Sequence, residues 1–347
     1  MSPWSRGCLL VVVGLLLLLP AQTASADPAR PTHYRSEVTG LVDGAGDPVS
    51  GVRVEVVGGD TFLVLRLAGA EQVEVPGYEG EPYLRFDAGG TVEVNVRSPA
   101  RWLNDARFGA LDVQVPPAAD AGAAPQWETV AEDGRYAWHD HRIHFMSPTL
   151  PGDVDPTQGT VQEIFAWEVP LVVDGEPARV EGVLAWLPGP PVGLPIALLV
   201  LSLAAAVGLV RRPPRDRGVG VMGVGLGALA AGVVATVSSP PGGQAEPSLI
   251  VLPAVAVAAG LLARLRPGGP AVRGWLTDAA AIPLLGFGLW SLPVWWRPIA
   301  PTPLPIGVVR LLVAAGLAVG LAGSIALARR ALQASSLDDG DIDPSAR

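Results

Sequence analysis

The sequence contains no lysine; its 24 positive side chains are all arginine, and the 347 residues include one cysteine, three methionines and four histidines. Missing lysine carries no message about chemistry by itself. The single Cys8 lies inside an N-terminal apolar run, so a chain cleaved beyond it keeps no thiol. Disulfides, cysteine metal sites and sulfur redox chemistry are then excluded together. Catalytic signatures are absent as well: there is no HExxH zinc motif, no GxSxG nucleophile turn and no GxxxxGK[ST] phosphate loop. Gly223-Val224-Gly225 opens like a dinucleotide fingerprint but falls within an apolar run that reads as a membrane helix, where it cannot cradle a nucleotide. No complete catalytic motif remains, and the chain does not read as an enzyme.

What is abundant is apolar surface. Hydrophobic residues make up 49% of the chain, too many for an ordinary soluble protein of this length, and two or more domains fit within it. Arg6, the apolar run Leu9 to Leu19, Pro20 and the small-residue ending Ala24-Ser25-Ala26 read as a secretory signal with cleavage after Ala26. The run is shorter than the roughly 20 residues that cross a bilayer. Five later segments are long enough: Val192 to Val210, Val219 to Val237, Leu249 to Leu262, Ala279 to Trp295 and Ile306 to Ala328.

Arginine alternates between the loops of these segments. Arg211, Arg212, Arg215 and Arg217 follow the first, Arg264, Arg266 and Arg273 the third, and Arg329 and Arg330 the fifth, whereas residues 238–248 hold none and 296–305 only Arg297. The positive-inside rule makes the Arg-rich loops cytoplasmic. With five spans the N-terminal region is extracytoplasmic and the C-terminus cytoplasmic, in agreement with the signal. The chain is thus expected to be a multi-pass plasma-membrane protein with the lipid bilayer as one partner. Trp186, Trp275, Trp290, Trp295 and Trp296 fall near span ends, where indoles anchor. Gly223 with Gly227, and Gly316 with Gly320, have the spacing that lets helix backbones approach closely; packing within the bundle or homodimerisation would use it. Ionisable residues at depth, which transport paths need, are nearly missing: Arg310 and Asp278 lie near span ends, and the spans carry no histidine and only Met222 as a soft ligand.

The net charge of −9 is concentrated between Asp27 and Pro190. Nucleic acid is excluded as a partner, since binding it needs a basic face. From Val52 short runs alternate as half-buried strands do: Val52 to Val56, Phe62 to Leu67, Gln72 to Val75 and Thr91 to Val96, separated by Gly58-Gly59-Asp60 and Gly89-Gly90. An all-β fold, an Ig-like sandwich or a small barrel, is expected. The Ala- and Pro-rich stretch 116–125 reads as a hinge to a second strand-rich piece, whose last hairpin turns at Asp174-Gly175-Glu176-Pro177 and runs almost directly into the first span. The expected organisation is a signal peptide at 1–26, an extracytoplasmic β domain at 27–118, a second β-rich extracytoplasmic segment at 119–189, a transmembrane helical bundle at 190–330 and an acidic cytoplasmic tail at 331–347.

One cluster carries chemical interest. Three of the four histidines fall in Trp138-His139-Asp140-His141-Arg142-Ile143-His144-Phe145-Met146. Imidazole and thioether bind copper well and a carboxylate can complete the site, so His139, His141, His144, Met146 and Asp140 are the candidate ligands, with copper the metal they fit best. In a regular strand His139 and His141 share one face while Asp140, His144 and Met146 take the other. A single site therefore needs a turn or bulge near Arg142-Ile143. The opposing reading makes these histidines hydrogen-bonded scaffold groups and the β domain a docking surface for another envelope protein.

At this cluster, and in Gly77-Tyr78-Glu79-Gly80-Glu81-Pro82-Tyr83-Leu84-Arg85-Phe86 with Ser98-Pro99-Ala100 and Asn104, the chain resembles uncharacterised actinobacterial multi-span membrane proteins with a secreted β-rich domain. The resemblance implies an exported β domain ahead of membrane helices and implies no reaction.

Overall fold

The computed structural model describes residues 27–109 and 113–339. The expected signal peptide and the residues from 340 onward lie outside them. In chain order the strands are β1 (Tyr34–Asp43), β2 (Val52–Val57), β3 (Phe62–Leu67), β4 (Gln72–Pro76), β5 (Pro82–Asp87) and β6 (Val92–Asn95). A short helix α1 (Pro99–Leu103) follows, then β7 (Trp127–Ala131), β8 (Arg135–Trp138), β9 (Gln162–Val173) and β10 (Glu176–Trp186). Alternation decides their faces: in β4, Val73 and Val75 are buried between exposed Gln72 and Glu74.

All pairings are antiparallel. One sheet has the order β1-β10-β9-β4-β5-β6-β7 and the other β2-β3-β8. Leu63, Leu65 and Trp138 of the smaller sheet share one buried cluster with Val73, Leu84, Phe86, Val169, Leu171 and Leu184 of the larger. Two sheets thus enclose one core. The 116–125 stretch is irregular as expected, but the strands after it complete both sheets begun before it: β7 pairs β6, β8 pairs β3 and β9 pairs β4. The two β-rich pieces bury their apolar faces only together. The β9–β10 turn is tight, with positive φ at Asp174 (50°) and Gly175 (87°), the two-residue geometry that matches strand twist. It frees Glu176 and Pro177 to begin β10 instead of belonging to a longer loop.

The C-terminal half is helical: α2 (Gly193–Val210), α3 (Pro214–Ser238), α4 (Ser248–Leu265), α5 (Pro270–Ala280), α6 (Ile282–Trp290), a 3-10 turn Leu292–Trp295, and α7 (Ile306–Asp339). Four of these, α2, α3, α4 and α7, are long and apolar enough to cross a membrane. The fourth expected span, Ala279 to Trp295, is instead broken into α5, α6 and the 3-10 turn. Pro283 and Pro293 stand in the first turn of the second and third pieces, and a residue without N–H is tolerated there but not in a helix interior.

Close packing in the bundle relies on α7. A Cβ at Gly320 would meet Leu285 N at 2.3 Å and one at Gly316 would meet Phe287 Cδ1 at 3.0 Å, so this pair seats α7 on α6. Gly227 faces Leu312 of α7, while Gly223 meets nothing within 4 Å. Two of the five expected tryptophan anchors are internal instead: Trp186 and Trp295 are buried, and the Trp295 indole donates to Arg310 O at 3.2 Å. An indole N–H with a backbone acceptor inside the fold has no need of the interface.

The β region sits on one end of the bundle, at the α3–α4 and α6–α7 connections. Ala137 N donates to Pro241 O at 2.7 Å, and Thr32 and Ile299 exchange backbone bonds of 3.1 and 3.2 Å. Gly242 makes the first contact feasible: its φ is +83°, and a Cβ there would fall 2.1 Å from Ala137 O.

Candidate histidine site

The strand expected around the histidines ends at Trp138, and a turn follows. Asp140 organises it: its carboxylate accepts from Arg142 N (3.1 Å), Arg142 Nε (2.7 Å), Arg142 Nη2 (2.7 Å) and Trp138 Nε1 (2.8 Å), while Ile143 N donates to Asp140 O at 3.1 Å. This turn at Arg142-Ile143 is what brings the three imidazoles together. Ring centroids are 5.4 Å apart for His141 and His144 and 6.1 Å for His139 and His144. Asp140 is left out of the group, since its side chain is fully buried and engaged with Arg142. Burial opposes its charge, but Arg142 and these hydrogen bonds hold its carboxyl below the usual range.

Each imidazole meets the backbone of a distant segment. His139 Nε2 lies 2.9 Å from Asp27 O and must donate to it; Nδ1 is buried with no partner. His141 Nε2 lies 3.0 Å from Ala106 O, and the ring stacks on Tyr78 at 5.5 Å. The Tyr78 hydroxyl accepts from His141 N at 2.9 Å and donates to Asn104 Oδ1. His144 is flanked by carbonyls on both sides, with Nδ1 3.3 Å from Asp60 O and Nε2 3.1 Å from Arg107 O. Met146 Sδ also lies 3.1 Å from that Nε2. A neutral imidazole has one N–H, so one nitrogen of His144 faces a carbonyl lone pair to lone pair.

Protonation would resolve that conflict, yet the surroundings oppose it. Burial, with Arg107 and the other two histidines nearby, drives His144 well below the ordinary imidazole value. Burial brings His139 down to about 4 and lowers His141 as well. Arg107 itself forms a bidentate pair with Asp60, whose side chain is fully buried. All three rings are therefore neutral near pH 7, the form in which imidazole binds a metal.

Two further side chains of metal-ligating type have partners of their own. His33 Nδ1 bonds Leu187 O at 2.9 Å and its ring stacks on Trp186. Asp155 caps the 3-10 turn Pro156–Gln158 through Thr157 N. Among the described residues no three His, Cys, Asp or Glu side chains are disposed to hold a metal ion as they stand. The Asp60–Arg107 pair was not legible in the sequence, because no local spacing links residues 47 positions apart. Comparison with protein-family models, curated proteins and solved structures found no match to the chain.

Proposed function

We propose that this is a membrane-anchored binding or accessory protein of the cell envelope, with its β region a sandwich outside the plasma membrane and its C-terminus inside. One observation carries the orientation. The β region occupies the end of the bundle bearing the α3–α4 and α6–α7 connections, while Arg211, Arg212, Arg215, Arg264 and Arg266 lie at or beyond the opposite helix ends and Arg329 and Arg330 follow the apolar stretch of α7 that closes at Ala328. Positive loops stay cytoplasmic. In this reading α5, α6 and the 3-10 turn together make the fifth crossing.

Within the β region we assign the binding centre to His139, His141, His144 and Met146, with a soft cation such as copper as ligand. The support is the orphaned His139 Nδ1 together with the double carbonyl flanking of His144. A buried unpartnered nitrogen costs about 1–3 kcal/mol, and a cation would satisfy both nitrogens without adding a proton. Metal-free full-length protein in detergent should take up copper in stoichiometric amount, and the His139→Ala/His141→Ala double variant should lose that uptake. Uptake unchanged in the double variant defeats the assignment.

A second reading makes the β region a docking module for another envelope protein, with the histidines as loop staples. It is favoured by the backbone bond each imidazole already makes and by the exposure of Met146 at the cluster and of Leu150 four residues on. Copper or zinc then leaves the unfolding midpoint unmoved, whereas a ligand at 100 times its Kd adds about 2.7 kcal/mol.

A further inference from the structure

A separate cavity of about 310 Å³ opens where the β region meets the bundle, within the roughly 300–1,000 Å³ of small-molecule sites. Its floor is made of small residues on α3, Ala228, Ala231, Gly232 and Ala235. Over that seven-residue length the helix rises about 10 Å. Phe287 and Leu312 contribute apolar walls. α4 closes the slot on one side, where a Cβ at Gly232 would fall 2.2 Å from Leu249 O, and Ala231 is the small α3 residue left partly open beside it.

The rim differs in kind. Arg30, on the segment leading into β1, and Arg297, on the α6–α7 connection, both line the opening. They share one edge, because Arg297 Nη1 donates at 2.7 Å to the carbonyl of Pro31, the residue after Arg30. Glu246 partly offsets Arg30, at 3.8 Å from its Nε. Among the described residues no carboxylate forms an ion pair with Arg297. Burial, reinforced by Arg107, lowers the Arg297 guanidinium from its ordinary value. The Ser291 hydroxyl, also lining the cavity, is buried without a hydrogen-bond partner.

We propose that this cavity holds one chain of an anionic phospholipid, its phosphate at Arg30 and Arg297 and its hydrocarbon along the Ala228–Ala235 face. Charge complementarity and depth select the occupant: an apolar slot about two helical turns deep, ending at two guanidinium groups at one end of membrane-length helices, matches a headgroup above a chain. Guanidinium binds phosphate with paired N–H donors, and the site is independent of the histidine cluster.

The test uses full-length protein delipidated in mild detergent and offered phosphatidylglycerol and phosphatidylcholine with identical acyl chains, the retained lipid being counted by native mass spectrometry. Retention of about one phosphatidylglycerol per chain over phosphatidylcholine is expected. Arg30 is largely exposed and its replacement leaves the helices undisturbed, so Arg30→Gln should weaken that retention roughly tenfold with an unchanged unfolding midpoint. Ala231→Leu, which fills the slot, should abolish retention of the chain by a separate route. Equal retention of both lipids, retention indifferent to both variants, or displacement by millimolar inorganic phosphate alone would each overturn the proposal. Copper uptake remains intact in either variant, so this failure is distinguishable from failure at the histidines.

Discussion

Replacing Asp278 with alanine should destabilise the bundle by about 3–5 kcal/mol, the usual cost of leaving a buried charge without its partner. Asp278 of α5 is fully buried and accepts from Arg217 Nε (2.7 Å) and Nη2 (2.9 Å) on α3 and from Arg330 Nε (2.8 Å) on α7. One carboxylate thus ties three helices at the end of the bundle away from the β region. The Arg217 side chain is only 8% exposed, so it cannot simply turn to water when the carboxylate goes. The unfolding midpoint in detergent should fall by roughly 10 °C. The double variant Arg217→Met/Asp278→Leu removes both buried charges and should recover most of the loss. A single variant as stable as the parent would mean that the network contributes nothing.

Acidification should destabilise the metal-free β region, and the sign follows from the histidines. His139 is held at about 4 in the folded chain against 6.5 when unfolded. Between those values the unfolded state binds the proton and the folded state does not, so stability is full above pH 6.5 and is lost as pH falls toward 4. At pH 5 this imidazole alone accounts for roughly 2 kcal/mol, or roughly 4–8 °C in midpoint. His141 and His144 act in the same direction. His139→Asn should flatten the profile relative to the parent, and the difference between the two isolates this ring from carboxylates titrating below it. A parent profile already flat from pH 7.5 to 5 would show that the rings are not buried and neutral.

Much of this architecture can be read from the residues, for identifiable reasons. β2, β4 and β6 announce themselves because half burial writes period-two alternation into sequence, whereas β3 opens with four buried residues, Phe62 to Leu65, and is legible as a short apolar run between turn residues. β1 is less legible: its burial is mostly intermediate along the strand, so no clean alternation marks it. The four long helices follow from apolar length, while the broken fourth segment shows how two prolines divide a run that hydropathy alone scores as continuous. The separation of the β half into two pieces at residues 116–125 follows composition, but strand partners are chosen by the shared core and cross that boundary.

The histidine site was legible only as a condition. Strand periodicity splits the cluster across two faces unless the chain turns at Arg142-Ile143, and Asp140 supplies that turn by accepting from Trp138 and Arg142, two residues to either side. This use of Asp140 also explains its absence from the gathered group, because a carboxylate held by Arg142 and Trp138 is committed elsewhere. The long-range partners, Asp27, Asp60, Ala106 and Arg107, meet the rings through backbone carbonyls. Any residue type has one, so sequence identity leaves no trace of that role.

The orientation of the whole molecule is tested most directly by single cysteines placed in a Cys8→Ser background. Thr149→Cys lies on the exposed side of the β region and Ser335→Cys on the exposed end of α7. A membrane-impermeant maleimide added to intact cells should label the first and leave the second untouched until the membrane is opened. Labelling of residue 335 with protection of residue 149 would contradict the account.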